Sequence, residues 1–157
     1  MNKKITTTII DNWLEPHLAE FLSNYLYKGV LYRNQKSTID DETSFLQGVV
    51  NCNPLIDFLH FKLKYIMPLN ITETYTNLQY PSMNAEWHVD RGDVTFLYMC
   101  SKNLNPNEGF FEIKNEIKIQ YKFNRLIYFD ATKLHKGHPP KQNIPRITLA
   151  IKTNKIL

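Results

Sequence analysis

The hydrophobic period of this chain changes near residue 71, and that change limits the fold more than any other feature. Before it, Leu14, Leu18, Phe21, Leu22, Tyr25 and Leu26 put one apolar face on a helix spanning residues 11 to 28. Pro16 suits its first turn and Gly29 marks its end. A second helix is predicted from Asn53 as N-cap, Pro54 at the first helical position, and Leu55, Phe58, Leu59 and Lys62 beyond, with Pro68 as terminator. The segment between the helices, carrying Asp40, Asp41 and Glu42, reads as loop or irregular edge. From Ile71 onward come short β-rich runs separated by Asn, Pro and Gly clusters, at 72 to 80, 94 to 100, 109 to 113, 116 to 121, 125 to 130 and 146 to 152. Helices first and many short strands afterwards imply an α+β domain. Its helices cover one face of an antiparallel double sheet, as in a jelly-roll-like barrel.

A length of 157 residues with 43% hydrophobic content suits a single domain, residues 1 to 70 supplying mainly the supporting helices and 71 to 157 the core. Near Met1 there is no charged region followed by an apolar run, and no stretch approaches the roughly 20 apolar residues of a membrane span. The expectation is a soluble, intracellular, cytoplasmic protein with no membrane partner. Cys52 and Cys100 stand far apart without a CxxC pair, which points away from a disulfide framework or a zinc ribbon and toward two small buried hydrophobes. The net charge of +4 comes from scattered lysines that form no stripe, so charge gives no support for a nucleic-acid partner.

The chemistry begins at His88 and Asp90. Two residues apart on extended chain, they face the same side and present an imidazole and a carboxylate to one ion. With 5 His and 7 Asp in the chain, such a pair arises by accident roughly one time in five, so a third ligand is required. A distant histidine would complete a two-His, one-carboxylate facial triad, which leaves positions open for a chelating co-substrate and oxygen. His135 and His138 are the candidates. His135 is preferred because it follows the apolar run from Leu126 to Phe129, whereas His138 precedes Pro139 and Pro140.

The last strand supplies the fourth element. Arg146, Thr148, Ala150 and Lys152 alternate with Ile147, Leu149 and Ile151. If the apolar set packs on the helices, the Arg146 guanidinium and Thr148 hydroxyl point inward, where an unpaired charge is costly and an anion is needed. A carboxylate gripped by arginine and hydrogen-bonded by a hydroxyl meets that need, and a dicarboxylate can reach from there to the metal.

In order and spacing these residues resemble the Fe(II)/2-oxoglutarate dioxygenases, and within them the prolyl 4-hydroxylases of the hypoxia-factor and phage types. The resemblance runs through Tyr80-Pro81, His88-Val89-Asp90, Val94-Thr95 with Tyr98, Glu108-Gly109, the stretch from Lys122 to Leu126, His135 and Arg146, and covers about residues 72 to 152. It implies a double-stranded β-helix of the cupin-like kind, His88, Asp90 and His135 as iron ligands, and Arg146 as partner of the 2-oxoglutarate C5 carboxylate. Tyr80, Tyr98 and Thr148 would be nearby hydrogen-bonding groups for the co-substrate. Departures exist: Phe110 follows Gly109 where the family often has a second glycine, and Met99 stands where hypoxia-factor enzymes carry a co-substrate tyrosine.

The resemblance implies hydroxylation of an unactivated C–H bond coupled to conversion of 2-oxoglutarate and O2 into succinate and CO2, with ascorbate as a possible reductant. The implied substrate is a prolyl residue of a peptide or protein, docked at a mouth that includes Tyr80, Trp87 and Arg91. A related oxygenase acting on a nucleobase or free amino acid, and a non-catalytic β-rich binding module, are the alternatives. Oligomeric state has no signature in the sequence. A phage-encoded version would act in the host cytoplasm.

Overall fold

The computed structural model describes residues 5–37, 44–50 and 54–156. Twelve elements follow in order: β1 (Thr8–Asp11), α1 (Pro16–Lys28), β2 (Tyr32–Gln35), β3 (Phe45–Val49), α2 (Pro54–Lys64), β4 (Leu69–Gln79), β5 (Val94–Met99), β6 (Phe111–Ile113), β7 (Ile117–Ile119), β8 (Arg125–Asp130), β9 (His135–Gly137) and β10 (Arg146–Lys155). The strands make two antiparallel sheets. The larger has the order β1-β8-β5-β10-β4-β3-β2 and the smaller β7-β6-β9. Among the described residues the two do not close into a barrel; they face each other as the halves of a double-stranded β-helix.

Alternation along β10 sets the layers. Ile147, Leu149 and Ile151 face outward into a core shared with Leu22 and Leu26 of α1 and Leu59 and Leu63 of α2. Each of these leucines is fully buried, contributing roughly 1.5–3 kcal/mol by removal from water. The opposite parity of β10 faces the space between the sheets, where Ala150 joins Leu97, Phe111, Ile127 and Phe129 in a second core.

Several local outcomes differ from the sequence expectations. The first helix begins at Pro16, not residue 11, because residues 11 to 14 are held to β8 and its approach. Asp11 pairs with Arg125 in the ladder, the Trp13 N–H donates to the Asn124 carbonyl, and the Asn124 side chain brackets Leu14 by accepting from its N–H and donating to its carbonyl. Asn124 sits at φ 61, a left-handed turn that an asparagine tolerates. The stretch expected to be loop or irregular edge holds β2 and β3, which form one edge of the larger sheet. Asp40, Asp41, Glu42, the proposed Asn53 cap and Cys52 lie outside the described residues. The strand expected from residue 109 starts at Phe111, since Gly109 adopts φ 61 and cannot continue the ladder. Cys100 is buried and unpaired. No helix among the described residues is long and apolar enough to cross a membrane.

Candidate metal centre

His88 and Asp90 lie on the extended approach to β5, and His135 opens β9. A two-residue antiparallel bridge fixes them together: the His88 N–H donates to the His135 carbonyl at 3.1 Å and the His135 N–H to the His88 carbonyl at 2.9 Å. The Asp90 N–H donates to the Ala131 carbonyl at 2.9 Å, holding the next inward position. One potential ligand atom from each of the three side chains then falls within 4.8 Å of the others. His135 Nε2 is 3.4 Å from Asp90 Oδ2 and His88 Nε2 is 3.9 Å from Asp90 Oδ1.

The hydrogen bonds behind the imidazoles select the tautomer a metal needs. His88 Nδ1 is 2.8 Å from the Glu86 carbonyl and His135 Nδ1 is 2.8 Å from the Lys133 carbonyl. A carbonyl only accepts, so each Nδ1 carries a proton and each Nε2 is the ring atom presented toward Asp90. Burial, reinforced by the nearby His135, lowers the proton affinity of His88, which favours the neutral ring. For Asp90, burial alone would raise the pKa; His135, Lys152 and a hydrogen bond from Thr95 outweigh it and hold the carboxyl well below the usual range. Asp90 is therefore ionised. Two imidazoles and one carboxylate, on one side of a cavity, suit a divalent first-row metal with open coordination positions.

Further into the same cavity lies a group of buried polar side chains around Arg146. Arg146 is buried, its Nε donating to the Gly109 carbonyl at 2.7 Å and its Nη1 to Gln79 Oε1 at 3.0 Å. Gln79 is held in turn by the carbonyls of Met83 and Gly137. Arg146 Nη2, Thr148 Oγ1 and Asn77 Oδ1 are buried with no hydrogen-bond partner among the described residues. Burial weakens the proton affinity of Arg146, to about 10, and leaves it charged at neutral pH. Such atoms are costly unless something polar meets them. Gly137 packs against the guanidinium so closely that a Cβ there would stand 2.9 Å from Cζ, Nη1 and Nη2. It is two residues beyond His135 on β9, roughly 6.6 Å along the strand, a span that a five-carbon dicarboxylate bridges.

The cavity brings together His88, Asp90, His135, Arg146 and Thr148. It does not include Tyr80 or Tyr98. Tyr98 has the outward parity of β5: it is 1% exposed, packs edge-on to Trp13 at 5.5 Å and donates to Asn124 Oδ1. Tyr80 packs on the helix-side core near Tyr27. His138 lies on the outer side of the smaller sheet, stacked on Phe110 and 2.8 Å from Glu112 Oε2. Trp87 is beside it, with Lys114 and Lys136 near its ring, while Arg91 lines an outer groove with Lys36 and Glu73.

Four residues that sequence reasoning missed reach the site. Tyr75, Asn77 and Gln79 line the cavity from β4, opposite Ala150, Thr148 and Arg146. Lys152 places its Nζ 3.0 Å from Asp90 Oδ1. The signal for the first three was the parity of the predicted strand at 72 to 80: Glu73, Tyr75, Asn77 and Gln79 share a face, and Tyr80 belongs to the other.

No protein-family model matches the chain, and no curated protein does. Solved structures do. The viral collagen prolyl hydroxylase vCPH from Paramecium Bursaria Chlorella virus-1, in its 2OG complex, superposes with a TM-score of 0.74 at 16% identity, covering 96% of each chain. A prolyl hydroxylase from Trichoplax adhaerens, in complex with a peptide fragment of the hypoxia inducible factor oxygen degradation domain, gives 0.73 at 15% identity over 94% of this chain and 82% of that one. HygX from Streptomyces hygroscopicus, with nickel and 2-oxoglutarate bound, gives 0.73 at 9% identity over 98% and 84%. The chain has the fold of the 2-oxoglutarate/Fe(II) oxygenases, shared by proteins with different substrates.

Proposed function

We propose that this chain is an Fe(II)- and 2-oxoglutarate-dependent oxygenase that hydroxylates an unactivated C–H bond, with a prolyl residue of a peptide or protein as substrate. One observation carries the reading: three potential metal ligands and two unsatisfied buried donors, Arg146 Nη2 and the Thr148 hydroxyl, share one cavity. A structural ion pair would account for the first, but nothing among the described residues satisfies the second. The prolyl assignment draws on the sequence resemblance and on a shared fold with peptide-binding and collagen-type prolyl hydroxylases.

In this reading His88 Nε2, His135 Nε2 and Asp90 hold the iron. Arg146 Nη2 and the Thr148 hydroxyl donate to the distal carboxylate of 2-oxoglutarate, which satisfies both orphaned donors at once. The Asn77 side chain also faces this part of the cavity. When bound, iron and 2-oxoglutarate together supply the oxidising power, one atom of O2 entering succinate as CO2 leaves and the other entering the substrate C–H bond. The chain's own contribution is orientation and dryness. Leu97, Phe111, Phe129 and Ala150 give the cavity an apolar wall, which favours a dry environment for the reacting centre once substrate covers its mouth.

Anaerobic addition of Fe(II) and 2-oxoglutarate is expected to produce a visible charge-transfer absorption, and aerobic incubation to release succinate. His88→Ala should lose both almost completely, whereas Arg146→Ala should mainly raise the 2-oxoglutarate requirement. Absence of absorption in folded wild-type protein would sink the oxygenase reading. A proline-containing peptide gaining one oxygen atom on proline supports the substrate assignment. Oxygen incorporated only into a nucleoside or free amino acid would overturn that assignment and leave the oxygenase chemistry intact.

A further inference from the structure

Lys152 belongs to the same inward parity of β10 as Arg146 and Thr148, six residues beyond the arginine. Its neighbours in the sheet are Thr95 on β5 and Glu73 on β4. Thr95 and Lys152 are paired across the ladder, and both hold Asp90: the Thr95 hydroxyl donates to Oδ2 at 2.7 Å and the Lys152 ammonium to Oδ1 at 3.0 Å. The other groups around the ammonium are Tyr75, whose ring centroid is 5.0 Å away, and the more distant Glu73 carboxylate at 3.8 Å. The Lys152 side chain is only 13% exposed, so its charge is poorly screened from the carboxylate.

We infer that Lys152 is a positioning residue that serves as the resident counter-ion of Asp90 and weakens the site's hold on a divalent metal. This rests on the reading of His88, Asp90 and His135 as ligands. Two consequences oppose one another. Without metal, a buried carboxylate lacking a cationic partner would destabilise the fold, and Lys152 supplies that partner. With metal, the ammonium remains a like charge beside a ligand oxygen and lowers the net attraction for the ion. The site is thereby stable when empty and exchangeable when loaded.

The test uses Mn(II) as a redox-inert probe, with thermal unfolding of the metal-free protein and calorimetric Mn(II) titration as readouts. Lys152→Met should unfold at a lower temperature than wild type without metal, yet bind Mn(II) at least about tenfold more tightly, a change of 1.4 kcal/mol. Lys152→Gln removes the charge but keeps a donor; it should also bind more tightly and serves where the methionine variant does not fold. Lys152→Arg keeps the charge and should stay near wild type. Affinity for Mn(II) that is unchanged or weaker in both neutral variants would overturn the inference, because a purely structural or purely orienting lysine gives that result. If wild type itself binds no Mn(II), or His88→Ala binds it equally well, the metal reading fails, a different outcome from failure of the lysine's role.

Discussion

Gly137 offers the sharpest test of the anion receptor, because replacing it touches Arg146 without touching any proposed metal ligand. A Cβ at this position would lie 2.9 Å from Cζ, Nη1 and Nη2 of Arg146, whereas ordinary contact begins at 3.4 Å. The guanidinium of a Gly137→Ala variant must therefore retreat by roughly 0.5 Å. It has little freedom to do so, being tied through Nε to the Gly109 carbonyl and through Nη1 to Gln79. Losing one such charged hydrogen bond costs about 1.5–3 kcal/mol, which corresponds to about 10- to 150-fold in affinity for a carboxylate that depends on this group. His135 is buffered by its ladder to Ile113 and its bridge to His88, so metal affinity should change by no more than about twofold. Calorimetric titration of 2-oxoglutarate into Mn(II)-loaded protein, with Mn(II) into metal-free protein as the companion, reads both quantities. A folded Gly137→Ala protein that binds 2-oxoglutarate as well as wild type, or that loses both ligands in equal measure, would refute the reasoning.

Thr148→Val replaces a buried hydroxyl that lacks a partner by a methyl of similar size, so the unliganded protein should be as stable as wild type or slightly more so, while 2-oxoglutarate affinity falls about 5- to 10-fold. Chemical denaturation and the same titration check the two halves, and a destabilised protein with unchanged affinity would contradict the assignment. Burial lowers the pKa of His88 below the ordinary 6.5, so between 6.5 and that lowered value the unfolded chain binds the proton and the folded chain does not. Stability of the metal-free protein should therefore fall as pH drops through this window and level off below it. His88→Gln should flatten that part of the profile in urea titrations from about pH 7.5 to 5, and an unchanged slope would show that another group is responsible.

The parts of the site that the sequence disclosed are those written in alternation. The inward parity of Arg146 and Thr148 could be read because Ile147, Leu149 and Ile151 mark the opposite face so clearly. The i, i+2 spacing of His88 and Asp90 works the same way, although only a single backbone bridge makes that stretch extended. His135 was separable from His138 only by an argument from the preceding apolar run. The strand it opens has three residues, too few for any period to register. The tyrosines failed for a related reason. The resemblance pointed at Tyr80 and Tyr98 by their place in a motif, whereas Tyr98 on β5 and Tyr80 just past β4 pack on the helix side, and the pleat of β4 brings Tyr75 inward instead. Strands β2 and β3 were missed because their residues are mixed in polarity, and pairing of β3 with β4 and of β2 with β3 organises them. Lys152 stood in the sequence only as the last position of the polar alternation, and only the fold brings it to Asp90.

The bridge between His88 and His135 has a further meaning for the chain as a polymer. The two residues are far apart in sequence, and the whole stretch from β5 to β8 runs between them. An ion held by both would act as a removable cross-link, closing that long loop in the unfolded ensemble if it stayed bound there and tying its ends in the folded one. Chain entropy makes such a closure most effective when the loop is long. Loading and unloading one metal ion would then tighten or release the stretch that carries the four strands β5 to β8 in a single step, with no covalent bond made or broken.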